Sequence, residues 1–295
     1  MSIIDNQRRA DDLASLEAGL DALEATDARK RHHGRKVLSA TWPPVLAVVV
    51  LLGLWELGYR SGVKPSYALP SPMDVALVLR SQLRDGTLLD AMRTSLTRGG
   101  LGFLIALAIG TPLGILIARV HPIRRGIGPL VSGLQSLPSV AWVPAAIIWF
   151  GLTPSAIYFV VLLGAVPSIA NGMVSGIDQI PPLYQRVGRV LGASGLSAAR
   201  HVLLPAALPG YVGGLRQGWA FSWRSLMAAE LIVNSPELGQ GLGQLLDTGR
   251  NLNDMSLVFA GILGILVVGI AVELCVFAPI ERSVLRRRGL FAATS

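Results

Sequence analysis

An all-α membrane protein with six transmembrane helices is the fold class this sequence predicts, and three observations predict it. The 295 residues are 52% hydrophobic and 15% charged, with a mean hydropathy of +0.54. That balance is too apolar for an ordinary soluble domain. The apolar residues gather into six runs near the length of a membrane span, and the cations concentrate in alternate connections between those runs.

Residues 1–42 form a polar tail, with acids from Asp5 to Asp27 followed by RKRHHGRK over Arg29–Lys36. No small-residue cleavage site follows the next apolar run, so 43–60 reads as an uncleaved first span and not as a signal peptide. Residues 61–93 then carry LPSPMDVALVLRSQLRDGTLLDAM, whose Met73, Val75, Ala76, Leu79 and Leu83 recur at helical spacing. The pattern predicts an amphipathic helix lying along the outer surface.

A helix crossing a hydrocarbon core of roughly 30 Å needs about 20 mostly apolar residues. The core of five further spans over 94–280 divides into Thr94–Ala118, Pro129–Phe150, Ser155–Ile177, Leu208–Val233 and Met255–Ile280. In the first of these, Gly99, Gly100, Gly102, Gly110 and Gly114 predict close helix packing. Pro138, Pro144, Pro167 and Arg224 interrupt the next three. Broken helices are tolerated in a membrane where neighbours or a water-lined cavity satisfy the freed backbone, which suits a transport path better than a passive anchor. A short helix is expected around Leu242–Asp247, and 281–295 forms a C-terminal tail.

Orientation follows from the distribution of Lys and Arg. With both termini in the cytoplasm, that side receives the Arg29–Lys36 cluster, Arg119, Arg124, Arg125, Arg186, Arg189, Arg200 and Arg286–Arg288. The outside keeps Arg60, Lys64, Arg80, Arg84, Arg93 and Arg250. The basic residues lie beside apolar segments and do not interleave with exposed aromatics, so membrane topology accounts for them better than nucleic-acid binding. The Arg29–Lys36 cluster either contacts anionic lipid or fixes topology.

Catalytic signatures are missing in an informative way. The three lysines, Lys30, Lys36 and Lys64, never follow a glycine, so no GxxxxGK[ST] phosphate loop exists and ATP hydrolysis would need another chain. The four histidines form no metal motif, and Cys275 is the one cysteine. GASG at Gly192–Gly195 matches the GxSG of intramembrane serine proteases. Ser194 would then need a histidine base, yet none follows His201.

Intramembrane charges remain. Arg224 falls near the middle of the fifth span, where a cation costs on the order of 3 kcal/mol and marks either a pathway or an ion pair. It could line a path for an anion, with Ser225 beside it, or pair with Glu56, Glu230 or Glu273. Trp219 and Trp223, four residues apart on one helix face, serve either substrate contact or packing.

Between the fourth and fifth spans lies RVGRVLGASGLSAARHVLLPAALP, from Arg186 to Pro209. Its periodicity predicts a helix over 183–191 ended by Gly192, then a second helix capped by Ser194 or Ser197 and stopped by Pro205. Val187, Val190 and Leu191 would seat in a groove on a partner while the arginines meet carboxylates at its rim.

This stretch resembles the EAA loop of binding-protein-dependent ABC importer permeases. The family glycine falls on Gly192 and the family Leu-Pro on Leu204 and Pro205; the EAA itself falls on Arg186, Val187 and Gly188. Only the small third residue is kept, and the acidic first residue has become basic. LPSPMDV, LQSLPSVAWVPAAIIWFGLTPSA over Leu134–Ala156 and AAELI over Ala228–Ile232 are similar to the nitrate, aliphatic-sulfonate and taurine permeases.

The resemblance implies a type I importer permease in a bacterial inner membrane, working as a homodimer with two cytoplasmic ATPase subunits and an extracytoplasmic solute-binding protein. ATP and magnesium would be bound by the ATPase, and no cofactor by this chain. The implied coupling segment covers about 183–204, with Arg186, Val187, Gly188, Val190, Leu191, Gly192, Ala193, Ser194, Leu204 and Pro205 facing the ATPase. Arg224, Ser225, Trp219 and Trp223 would line the translocation path for a small anion, foremost an aliphatic sulfonate. An ion-driven secondary transporter is the alternative.

Overall fold

The computed structural model describes residues 42–43, 45–65, 67–234 and 239–287. The basic cluster at Arg29–Lys36 and the last eight residues therefore lie outside the described residues. The chain forms two compact units, one up to residue 66 and one from Tyr67 onward. Helix α1, residues 45–60, belongs to the first unit. Within it Arg60 donates from Nε to Glu56 Oε1 at 2.6 Å, so Glu56 is already paired on its own helix.

The second unit opens with α2, Pro72–Arg84. Ser71 caps it, accepting from the Asp74 backbone N–H while the Asp74 side chain returns to the Ser71 N–H. This reciprocal capping box satisfies two helix-end donors. The expected amphipathic stripe is only partly used: Val75 is fully buried, whereas Met73 and Leu83 stay exposed. The packed face instead rests on α3 and α11.

Helix α3, Thr87–Arg119, begins seven residues before the expected span and runs unbroken through Pro112. It packs on α6, Pro154–Asp178, which in turn packs on α9, Leu204–Ile232. This three-helix stack is the heart of the unit. Lipid offers no hydrophobic drive between helices, so the stack relies on backbones that approach closely. A Cβ at Gly114 would lie 2.6 Å from the Ala170 carbonyl oxygen, and one at Gly172 would lie 2.4 Å from Gly214 Cα. Of the five glycines expected to pack in α3, Gly100 alone meets nothing, and the other four abut α6 or α9.

The expected third span is two helices. Helix α4, His121–Ser136, ends where Leu137 turns extended (φ −76°, ψ 134°), the conformation a residue before proline is driven toward. A single 3₁₀ turn, Ser139–Trp142, leads into α5, Val143–Phe150, and the two halves meet at 97°. Pro144 sits harmlessly in the first turn of α5, and Pro167 stays inside α6 without ending it. Of the four expected interruptions, only Pro138 breaks a helix.

Past α9, helix α10, Leu242–Asn251, forms where a short helix was expected and extends it by four residues. Helix α11, Met255–Val272, continues through a π turn, Glu273–Phe277, into α12, Ala278–Arg287. The expected tail from residue 281 is thus helical as far as Arg287. Among the described residues α3, α6 and Met255–Arg286 are long and apolar enough to cross a membrane, and the bent α4–α5 pair makes a fourth if it is one span. Helix α9 carries Arg216, Arg224 and Glu230. The all-helical, multi-pass architecture is consistent with six spans.

Candidate functional site

Two places carry the residues singled out from the sequence. The first is the connection between α6 and α9. Helix α7 covers Pro182–Val190. Gly192 follows in the left-handed region at φ 80°, where a side chain would be strained. The Ala193 N–H donates to the Gly188 carbonyl at 2.9 Å and the Gly192 N–H to the Arg189 carbonyl at 3.0 Å. This pair of bonds is a Schellman cap, which closes the helix end and turns the chain sharply.

After the cap, α8 (Gly195–Ala198) passes through a π turn, Ala199–Leu203, directly into α9. Pro205 therefore does not stop the second helix as the sequence suggests. It lies in the first turn of α9, and the wider π turn before it absorbs the missing N–H. Neither Ser194 nor Ser197 caps through its side chain; the Ala198 N–H meets the Ser194 carbonyl.

Gly188 is buried, and a Cβ there would lie 2.9 Å from Val202 Cγ2. The small residue is what lets α7 cross the π turn. Gly188, Arg189, Ala193, Ser194 and Val202 surround a cavity of about 220 Å³, with Arg119 of α3 at its edge. Leu204 is half-buried against the core, and Arg186 and Pro205 are exposed. Val187, Val190 and Leu191 project outward, Val190 and Leu191 being 86% and 80% exposed.

No acidic residue occurs between Asp178 and Glu230, and Asp178 itself is held by a two-point ion pair to Arg124 at 2.9 and 2.6 Å. The segment thus offers an apolar ridge with a purely cationic margin. The protease geometry does not form: His201 Nδ1 faces the Ser197 carbonyl at 3.1 Å, and Ser194 has no histidine partner among the described residues.

The second place is the middle of α9. Arg224 is exposed and has no carboxylate within ion-pairing distance among the described residues. Its Nε donates to the Ala220 carbonyl at 3.2 Å, and its guanidinium lies 4.9 Å from the Phe221 ring. The carboxylates offered as partners are engaged elsewhere, since Glu273 binds Arg216 at 2.5 Å and Glu230 binds Arg98 at 2.9 Å.

Arg224 stands between two cavities. One, of about 460 Å³, is bordered by Arg216, Gln217, Trp219, Trp223 and Glu273. Trp219 and Trp223 stack at 5.9 Å, and Trp219 meets Phe103 edge-on. Each is only 7% exposed, so most of their surface packs and one edge meets the cavity. The other cavity, of about 300 Å³, opens at the break between α4 and the 3₁₀ turn. Ser225 is buried there, its Oγ 2.6 Å from Ser139 Oγ. Gly164 allows this, because a Cβ on it would come within 2.2 Å of that hydroxyl.

Sequence reasoning missed Gln135, Ser139 and Asn171 in this cavity wall and its support. The signal was the SLPS stretch around Pro138, whose break turns Ser139 toward Ser225 of α9 and leaves Gln135 against Asn171 of α6. It also missed the buried cluster at the far end of α9. There Glu230 accepts from Arg98, from Ser95 Oγ at 2.6 Å and from the Gly243 N–H at 3.1 Å. Arg98 also donates to Gln244 Oε1 at 3.4 Å and the Gly239 carbonyl at 3.3 Å. Among the described residues no group of three metal-ligating side chains occurs.

Residues 110–278 match the family model described as "Binding-protein-dependent transport system inner membrane component". An ABC transporter permease protein of Methanocaldococcus jannaschii is 32% identical, over 78% of this chain and 85% of that protein. The aliphatic sulfonates transport permease protein SsuC of Bacillus subtilis is 28% identical, over 84% of this chain and 86% of its own length. Proteins named as nitrate, taurine and bicarbonate transport permeases match as well. The fold is shared with a structure of the MetNI methionine ABC transporter in inward facing conformations, at a TM-score of 0.58 and 20% identity over 67% of this chain and 95% of that one. With its matched core carrying the capped α7–α8 turn, the arginine-bearing α9 and the helix pairs around them, the chain belongs to the permease family of binding-protein-dependent ABC importers, in the branch of the nitrate, sulfonate and taurine permeases.

Proposed function

We propose that the chain forms the translocation path of an ATP-driven importer for a small anionic solute, foremost an aliphatic sulfonate. Two copies would make the path. The α7–α8 turn would seat in two cytoplasmic ATPase subunits that hold ATP and magnesium, and an extracytoplasmic binding protein would deliver the solute. Both termini then lie in the cytoplasm, in keeping with the Lys and Arg bias. This chain binds no cofactor in that scheme.

The observation that carries the proposal is the shape and charge of the α7–α8 turn. Val190 and Leu191, 86% and 80% exposed, stand on a Schellman-capped corner with Arg186 and Arg189 exposed beside them. A rigid apolar ridge of this kind fits a groove, and the arginines call for acidic groups at its margin. Continuity of α8 through the π turn into α9 supports a direct mechanical link from the turn to Arg224. Closing of the ATPase dimer around ATP would draw the two turns together and tilt each α9, opening the path outward; hydrolysis would reset it. Arg186, where the family carries an acid, makes a matching acid on the ATPase the expected partner.

Copurification tests this directly. The chain is expressed with a candidate ABC ATPase subunit from the same organism, and the Val190→Asp, Leu191→Asp variant is compared with wild type. The variant is expected to fold and insert normally yet lose at least about tenfold of ATPase association, since a charge in a desolvated anchor pocket costs several kcal/mol. Equal association would remove the turn from the coupling interface. Import by the wild-type chain alone in liposomes under an ion gradient would replace the proposal with a secondary transporter.

A further inference from the structure

We infer that the 300 Å³ cavity at the break of the third span is a cargo subsite that reads an oxyanion head with a short alkyl tail, an inference that rests on the permease reading above. Its polar wall is built from donors. Arg224 supplies the charge, with Nε occupied by the Ala220 carbonyl and the rest of the guanidinium without a carboxylate. Gln135 is oriented by Asn171 of α6, whose Nδ2 donates to Gln135 Oε1 at 2.6 Å. That leaves the Gln135 amide N–H groups to donate. Ser139 and Ser225 share one hydrogen bond at 2.6 Å, so one of the two hydroxyl protons is committed and the other is available.

No acidic side chain lines the cavity. A cation would meet a guanidinium and no counter-charge, whereas a sulfonate oxygen finds a charge-assisted donor and two neutral ones. The apolar part of the lining is Leu137, Val140, Phe221 and Ala228. Such a surface gains nothing from nitrate or bicarbonate, which are polar on every side, but buries an alkyl chain at about 25 cal/mol per Å² of apolar surface. The same residues also explain the helix break: Pro138 ends α4 so that Gln135 and Ser139, four residues apart, come from two separate helical pieces at 97° and face one cavity.

The test uses the permease in complex with its ATPase, carrying Cys275→Ser to remove the native thiol and Ser136→Cys to place one at the cavity rim. Labelling rates are measured with two methanethiosulfonates, one bearing an ethylsulfonate and one an ethyltrimethylammonium. The sulfonate reagent is expected to react faster by on the order of tenfold, as a fixed charge in a low-dielectric cleft raises the local concentration of its counter-ion. 1-Butanesulfonate should slow the reaction, and the same concentration of nitrate should slow it less. Arg224→Gln should abolish the preference and Arg224→Lys should retain most of it, a pattern that a packing role for Arg224 would not produce.

Equal rates for the two reagents, an unchanged preference in Arg224→Gln, or protection by nitrate equal to that by butanesulfonate would each overturn the inference. ATPase copurification scores the permease reading separately. A chain that binds ATPase but shows no labelling preference is a permease without this subsite.

Discussion

Two arginines of one stack of helices illustrate different uses of the same side chain. Arg98, on α3, is 9% exposed and meets Glu230, Gln244 and the Gly239 carbonyl. Arg224, two turns before Glu230 on α9, is exposed and meets one backbone carbonyl and a phenyl ring. Both residues sit in segments where a bare charge is costly. Arg98 resolves the cost by pairing inside the protein, and it thereby ties α3, α9 and α10 together. Arg224 lies between two cavities and leaves its charge to be met by water or by what enters. The paired charge of Arg98 is architecture, and the charge of Arg224, without a carboxylate partner beside a cavity, is the one on which the proposed subsite depends.

The comparison is most exposed to failure at the buried pair. Arg98→Leu or Glu230→Leu alone should destabilise the protein by about 3–5 kcal/mol, because each strands a buried charge. The double substitution should cost less than either single one, with thermal unfolding of the detergent-solubilised complex as the measurement. A double variant as damaged as the sum of the singles would mean that the pair is not coupled. Arg224→Gln should show the reverse pattern, with stability within about 0.5 kcal/mol of wild type and sulfonate uptake at saturating binding protein reduced by at least about tenfold. Normal uptake would leave Arg224 with a structural role like that of Arg98.

Smaller effects separate the turn from the cavity. Gly192→Ala forces a side chain into the left-handed region at φ 80° and should cost about 1–2 kcal/mol. Because the loss falls on the α7 cap, it should lower solute-stimulated ATPase activity more than it lowers the melting temperature of the isolated permease. Ser139→Ala removes the bond to Ser225 and should cost about 1 kcal/mol or less, with uptake reduced a fewfold. If it abolished uptake as fully as Arg224→Gln, the hydroxyl and not the charge would be the main recognition element.

Much of this was legible in the chain because it depends on local pattern. Apolar runs marked the helices, Gly192 marked the corner after α7, and the missing phosphate loop pointed to a partner for ATP hydrolysis. The proline before which α4 ends was visible too, but its consequence was read too broadly. Pro144, Pro167 and Pro205 all stay within helices. Pro144 stands in the first turn of α5, where the missing N–H has no helical partner to lose; the π turn before Pro205 absorbs its missing N–H, and Pro167 is carried through by packing on neighbours. Sequence alone offered no way to tell these from Pro138.

Charge partners were the other blind spot. Glu56, Glu230 and Glu273 were equal candidates for Arg224 by composition, yet each was already bound, to Arg60, Arg98 and Arg216. Glu230 and Arg98 are 132 residues apart, and only the approach of α3 to α9 brings them within reach.

What the sequence by itself determined was the class of molecule, its apolar helices, the capped corner at Gly192 and its cationic margin, because these follow from composition, periodicity and a residue's own backbone limits. What the tertiary structure alone decided was which charges neutralise one another and which face a cavity. It also decided that Gln135, Ser139, Ser225 and Arg224 meet in one wall. Those outcomes depend on distances between helices far apart in the chain, set by the glycine contacts of α3, α6 and α9 that let the backbones come close enough.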